Sequence, residues 1–142
     1  GGILINPLLN TLNNISFYTK KAPKSLSREW VENNIYPIIN DEYKIEDIMH
    51  TFCEHIGFQI SKNLNKKEVL ITGGGCFNKH LINRIEYYSS SKIIIPSEEI
   101  IEFKEALIFA FLGVLRLRNE INCLKSVTGA NKDNCGGFIH EI

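Results

Sequence analysis

An α/β fold, helix-rich with a small parallel sheet, is predicted by the sequence, and three observations carry that reading. A β-branched run, Val69 to Thr72, enters three consecutive glycines and is followed by an amphipathic stretch from Phe77 to Tyr88. A second β-branched run, Lys92 to Pro96, follows that stretch. Elsewhere the apolar residues recur every three or four positions over long segments, which is the periodicity of helices. Strands near 69–72 and 92–96 joined by a helix should form a right-handed parallel crossover. Parallel sheets are normally covered on both faces and contain more than two strands. Either further strands come from chain outside this sequence, or a helical layer carries a small sheet remnant.

Asn6 to Leu12 reads as a short helix with Asn6 as cap, Pro7 in the first turn, and Leu8, Leu9 and Leu12 inward. Ser16 to Lys24 is a polar, basic connector containing Pro23. Ser25 then caps a helix from about Leu26 that offers Trp30, Val31, Ile35 and Ile38 to a core. Pro37 kinks or stops it, and Asn40 to Lys44 is a loop. A long helix from Ile45 to about Leu64 carries Ile45, Ile48, Met49, Phe52, Ile56 and Ile60 at helical spacing. After the second strand, Pro96-Ser97-Glu98-Glu99 opens another helix, its carboxylates in the first turn where the helix dipole favours them. That helix, Ile100 to Leu117, is apolar on more than one side and should be central and buried. It is too short, and too charged at its flanks, for a membrane span. The tail from Asn119 is polar and glycine-rich and should wrap the surface.

Bulk properties exclude several functions. With 142 residues the chain has one domain's length and can bury a usable core. Sixteen basic residues balance sixteen acidic ones, and without a basic stripe nucleic acid is not expected as a partner. No apolar run spans a membrane, and the start at Gly1-Gly2 does not read as a signal peptide. That start, without an initiator methionine, leads us to expect a fragment. The four cysteines, Cys53, Cys76, Cys123 and Cys135, are scattered and form no Cys-x-x-Cys pair, so a disulfide framework is not expected. His50, Cys53 and His55 lie close in sequence, but a structural zinc site needs four ligands. Ordinary helix residues are the preferred reading, and no metal ligand is assigned.

The chemistry concentrates in Glu68 to Asn78, Glu-Val-Leu-Ile-Thr-Gly-Gly-Gly-Cys-Phe-Asn. Glycines at a strand-to-helix turn accept positive φ and let a flat ligand or a phosphate chain lie against bare backbone. The following helix offers amide groups and a partial positive charge. The segment is neither a P-loop nor a Gly-x-Gly-x-x-Gly fingerprint. On its own it is equally a glycine turn of any α/β protein.

Three separated motifs point one way. Pro23-Lys24-Ser25-Leu26-Ser27-Arg28-Glu29 resembles the Pro-Lys-Ser-x-Gly-Arg-Glu segment of bacterial anhydro-N-acetylmuramic acid kinases. Val69 to Asn78 is similar to that family's Val-x-Thr-Gly-Gly-Gly-Ala-x-Asn. Lys104-Glu105-Ala106 to Ala110, Val127-Thr128-Gly129-Ala130 and the closing Gly136-Gly137-Phe138-Ile139 resemble its terminal motifs. The resemblance covers essentially the whole chain. It implies the C-terminal portion of an actin-like ATPase (RNase H-like) lobe, with residues 1–142 as the nucleotide-side lobe of a sugar kinase. The implied reaction is ATP-dependent phosphorylation of anhydro-N-acetylmuramic acid with hydrolysis of its anhydro ring, in cell-wall recycling. ATP with Mg²⁺, a cytoplasmic location and a homodimer are implied with it. The family's phosphate loop and catalytic aspartate are not recognisable here, and both are expected in an N-terminal lobe. Ser27 stands where the family usually has glycine, and would be strained if that glycine supplied positive φ; Cys76 stands where it usually has alanine.

By this resemblance Thr72, Gly73, Gly74, Gly75 and Asn78 contact the nucleotide, while the alternative for Asn78 is helix capping or solvent exposure. Glu105 binds sugar hydroxyls, or else forms a structural ion pair with Lys104 or Arg28. Lys24 and Arg28 either meet phosphate or cap and solvate a helix, and the structural role is preferred. Two non-enzymatic alternatives stand beside the kinase: a stand-alone or decayed nucleotide- or sugar-binding module, and a helical interaction protein with an exposed apolar patch.

Overall fold

The computed structural model describes residues 1–21 and 24–140, so Pro23, placed in the connector above, lies outside the described residues. The chain divides into two compact units, Gly1–Ile95 and Pro96–Ile142. The first contains α1 (Asn6–Asn13), α2 (Arg28–Asn34), α3 (Ile45–Ser61), β1 (Glu68–Leu70), α4 (Lys79–Tyr88) and β2 (Lys92–Ile94). The second contains α5 (Glu98–Leu117) and α6 (Lys125–Thr128).

The two strands pair in parallel with Glu68 opposite Lys92, Val69 opposite Ile93 and Leu70 opposite Ile94, and α4 connects them as expected. Both are shorter than predicted. The last rung is Ile71 N–H to Ile94 carbonyl at 3.0 Å, after which Thr72 leaves the ladder for the glycines. On the other strand Pro96 has no N–H to contribute.

The apolar core of this unit gathers Leu8, Leu12 and Ile35, with Trp30, Val31, Ile38 and Phe52 packed against them. Leu8 and Leu12 of α1 are therefore inward as the spacing predicts. Asn6, however, is the first helical residue and not the cap. Ile5 takes the cap position in extended conformation, its N–H held by the Thr51 hydroxyl at 3.0 Å. In α2 the cap is Ser27 and not Ser25: its hydroxyl accepts from Trp30 N–H at 3.1 Å. Ser27 has φ −104°, so the departure from glycine there carries no strain. Among its described residues the connector buries Phe17, in a short 3-10 turn (Ser16–Thr19) against Tyr18 and Trp30. Pro37 follows the end of α2 in a second such turn, Tyr36–Ile38.

The expected face of α3 is the clearest correction. Of the six residues expected inward, Ile48, Phe52 and Ile60 are half-buried but Ile45, Met49 and Ile56 are exposed, whereas Thr51, Cys53, Glu54, His55, Gly57, Gln59 and Ser61 are buried. The polar residues go inward because each finds a partner. His55 Nδ1–H donates to Asn13 Oδ1 at 2.8 Å, and Tyr18 O–H donates to His55 Nε2 at 2.9 Å. Gln59 also reaches Asn13, and Ser61 donates to the carbonyls of Gly57 and Ile85. Helix α4 lies along this face with Ile82 and Ile85 buried. A Cβ on Gly57 would meet Arg84 Cβ at 2.8 Å, so glycine sets how closely the two helices approach.

In the second unit α5 is helical over the predicted stretch, but it is not the buried central helix expected. Ile101 is its one buried residue, while Phe103, Leu107, Phe109, Phe111 and Leu117 are all at least 60 % exposed. Among the described residues the unit contains nothing large enough to cover it, since α6 has four residues and the tail folds on itself. Cys123 and Asn134 exchange two antiparallel backbone bonds at 2.9 Å, and Asn122 clasps Gly136 through both side-chain atoms. Thr128 is the last residue of α6, and Gly129, in the left-handed region, ends it. No helix among the described residues is long and apolar enough to cross a membrane.

Candidate functional site

Between β1 and α4 the chain makes the turn on which the nucleotide reading rests. Gly73 has φ 93° and ψ 165°, a region open essentially to glycine alone. It leads into a 3-10 turn, Gly74–Phe77, closed by Cys76 N–H to the Gly73 carbonyl at 3.0 Å and Asn78 N–H to the Gly75 carbonyl at 3.1 Å. That turn takes up the residues between the glycines and α4, which therefore starts at Lys79 and not at Phe77. Cys76 is buried beneath the turn while Gly74, Gly75 and Asn78 are exposed. A Cβ added at Gly73, Gly74 or Gly75 would meet nothing within 4 Å. Packing in the protein therefore explains none of the three, and backbone conformation explains only Gly73. Bare backbone at 74 and 75 faces open space.

Beside the turn lies a depression of about 400 Å³. Thr72, Gly75 and Cys76 form its rim, with apolar walls from Leu70, Leu81 and Ile82. An apolar hollow bordered by backbone polar groups suits a flat heterocycle with a polar substituent. Asn78 is already engaged: its Oδ1 accepts from Leu81 N–H at 3.1 Å, capping α4, and its Nδ2 lies 3.9 Å from the Cys53 sulfur. Burial pushes the Cys53 thiol above its ordinary value, so the weak bond from Asn78 meets a neutral acceptor. The cap places Asn78 beside the turn with one weakly held donor to exchange.

Glu105 lies exposed on α5, in the second unit, so the cost of burying its carboxylate does not arise. Arg28 pairs with Glu32 at 2.8 Å, and Lys24 donates to the carbonyls of Phe17 and Tyr18, which fits structural roles for both. His50, Cys53 and His55 do not converge. His55 is buried between Asn13 and Tyr18, with burial lowering its pKa to about 4, whereas His50 faces His80 on α4. The pairing of His50 with His80 is invisible to sequence spacing, because the residues are thirty positions apart on different helices. A larger depression, about 480 Å³, is bordered by Phe17, Tyr18, His55 and Gln59. The imidazole, phenol and amide there already bond to one another or to Asn13. The open glycine turn remains the better candidate.

Comparison with known proteins agrees with the motifs. The family model for anhydro-N-acetylmuramic acid kinase matches residues 1–141. The chain is similar to the anhydro-N-acetylmuramic acid kinase of Saccharophagus degradans, 29% identical over 98% of this chain and 40% of that protein. With the protein of the same description from Francisella tularensis subsp. novicida it shares 33% identity over 91% of this chain and 37% of the relative. For Vibrio vulnificus the figures are 29%, 94% and 39%. The chain thus spans about two-fifths of the length of these curated relatives.

Proposed function

The chain belongs to the anhydro-N-acetylmuramic acid kinase family, and on that premise we propose that it is the nucleotide-side part of an ATP-dependent sugar kinase. The proposed substrate is anhydro-N-acetylmuramic acid, phosphorylated with hydrolysis of its anhydro ring in peptidoglycan recycling. In this reading residues 1–142 belong to an actin-like lobe, and an N-terminal lobe supplies the phosphate loop and the catalytic aspartate. The enzyme works in the cytoplasm as a homodimer, with Mg²⁺ accompanying ATP. Phosphoryl transfer depends on positioning and charge stabilisation, and a lobe that seats only the nucleotide contributes the first of these. The isolated chain is then inactive.

The observation that carries this reading is the turn at Gly73–Gly75, whose exposed glycines have no packing reason to be glycine. Gly73 and Gly75 set the approach of the nucleotide, Thr72 and Asn78 offer polar groups beside the hollow, and Glu105 is assigned to the sugar hydroxyls. The test is calorimetric titration of Mg²⁺-ADP into this chain and into Gly74→Val, then into the full-length kinase with and without the same substitution. The open space at Gly74 lets valine fold there, so saturable binding lost in the variant supports the site. A full-length enzyme that binds nucleotide and phosphorylates the anhydro sugar equally well with valine at 74 overturns it.

A further inference from the structure

Where α3 meets the first turn of α4, three metal-ligating side chains converge that the nucleotide reading does not use. His50 and Glu54 stand one helical turn apart on α3, and His80 is the second residue of α4. One ligand atom from each lies within 4.8 Å of the other two. His50 Nδ1 and His80 Nε2 are 3.1 Å apart. A tetrahedral ion with metal–nitrogen bonds of about 2.0–2.1 Å holds two ligand nitrogens about 3.3 Å apart, so the two imidazoles already have nearly the spacing that such an ion imposes.

The carboxylate is also prepared. Tyr88 O–H donates to Glu54 Oε2 at 2.8 Å, which fixes the plane of the group, while Oε1 lies 3.9 Å from His50 Nε2, the ring nitrogen that does not face His80. Arg84 Nε pairs with Oε1 at 2.6 Å, so an ion bound here shares that oxygen with the guanidinium, as a carboxylate oxygen with two lone pairs allows. The guanidinium lies against the Tyr87 ring, 4.2 Å from its centroid, which holds it in that place. Ligating carboxylates are ordinarily oriented in this way by hydrogen bonds from neighbours. Glu54 is nearly buried while His80 is exposed. A depression of about 250 Å³ beside the three side chains is bordered by His50, His80, Cys53, Asn78 and Glu46.

We propose that His50, Glu54 and His80 form a site for a divalent transition-metal ion of the zinc class, tying α3 to the first turn of α4. Two imidazoles and one carboxylate select such an ion over Mg²⁺, which prefers oxygen ligands in an octahedron. The site is separate from the nucleotide reading and stands if that reading fails. Because His80 lies two residues after Asn78, the ion clasps the helix that the glycine turn opens.

The test uses the full chain, with circular dichroism to establish that each variant is folded. Zn²⁺ is titrated calorimetrically, Co²⁺ by its visible ligand-field bands, and Mg²⁺ as the negative comparison. Expected are one saturable Zn²⁺ site and Co²⁺ bands of tetrahedral nitrogen and oxygen coordination. Affinity should fall by more than about tenfold in His80→Gln, and likewise in His50→Gln, on the scale by which even neighbouring support residues tune metal affinity. His80 is exposed, so its variant keeps the test open if His50→Gln fails to fold. Absence of saturable Zn²⁺ binding, Zn²⁺ binding unchanged in folded His80→Gln, or Co²⁺ bands of thiolate coordination would each overturn the proposal.

Discussion

Two adjacent glycines in the turn have different physical reasons to be glycine, and replacing each by alanine separates them. Gly73 sits at φ 93° and ψ 165°, where a Cβ collides with its own backbone whatever the surrounding space. Strain of this kind costs about 1–3 kcal/mol. Gly74 has no such φ, and a Cβ there meets nothing within 4 Å. Alanine at 74 should be neutral, or stabilising by about 0.4–1 kcal/mol through the stiffer unfolded chain. Urea unfolding followed by the fluorescence of the sole tryptophan, Trp30, reads the unit that holds the turn. With a denaturant slope of about 2 kcal/mol/M, Gly73→Ala should lower the midpoint by about 0.5–1.5 M while Gly74→Ala leaves it level or slightly raised. Equal midpoints for wild type and Gly73→Ala would refute the assigned conformation. A large loss in Gly74→Ala would refute the open space around it, and with it the availability of that backbone to a ligand.

Other residues of the first unit yield further tests. His55 titrates near 4 in the folded chain, against about 6.5 when unfolded, because its imidazole is only 3 % exposed. Its contribution is complete above pH 6.5 and is lost as pH falls toward 4, where the unfolded chain binds the extra proton; urea midpoints across that range should reveal a loss of about 2–3 kcal/mol. Ser27→Ala removes the hydroxyl that accepts from Trp30 N–H and should cost about 1 kcal/mol by the same assay, whereas Ser25→Ala should cost nothing measurable. Leu12 is fully buried, and Leu12→Ala should cost about 2–5 kcal/mol, enough to lower the thermal midpoint by several degrees.

Much of the first unit was legible because its signals are local. The β-branched runs, the glycines between them and the spacing of Ile82 and Ile85 all lie within one strand–turn–helix–strand succession, and the structure has that succession. Leu8 and Leu12 were legible for the same reason. The inward face of α3 was not. Hydrophobic periodicity selects Ile45, Ile48, Met49, Phe52, Ile56 and Ile60, of which Ile48, Phe52 and Ile60 are half-buried, but full burial follows Thr51, Glu54, His55 and Gln59, whose partners are thirty or more residues away or on other elements. A buried polar group is tolerated where its hydrogen bonds are made, and no window of sequence displays those bonds. Helix α5 failed in the opposite way. Its composition demands a cover, its extent was read correctly, and no element among the described residues of the second unit supplies one. As for the site, the glycine turn was visible as a motif, but the Asn78 contact to Cys53 and the pairing of His50 with His80 depend on α3 lying against α4.

That dependence gives α3 a role beyond filling the core. Several of its polar side chains reach α4: Cys53 meets the cap residue Asn78, His50 meets His80, Glu54 meets Arg84 and Tyr88, and Ser61 donates to the Ile85 carbonyl. They are spread along α4 from its cap to its last residue, so they fix the rotation of α4 about its axis as well as its distance. An apolar interface alone would fix distance more strongly than rotation, because dispersion has little directionality. The directional contacts determine where Asn78 stands, and Asn78 determines where the glycine turn ends. The polar face of α3, which breaks the hydrophobic pattern, thus has a physical reason to be polar: it sets the orientation of the helix that begins at the candidate site.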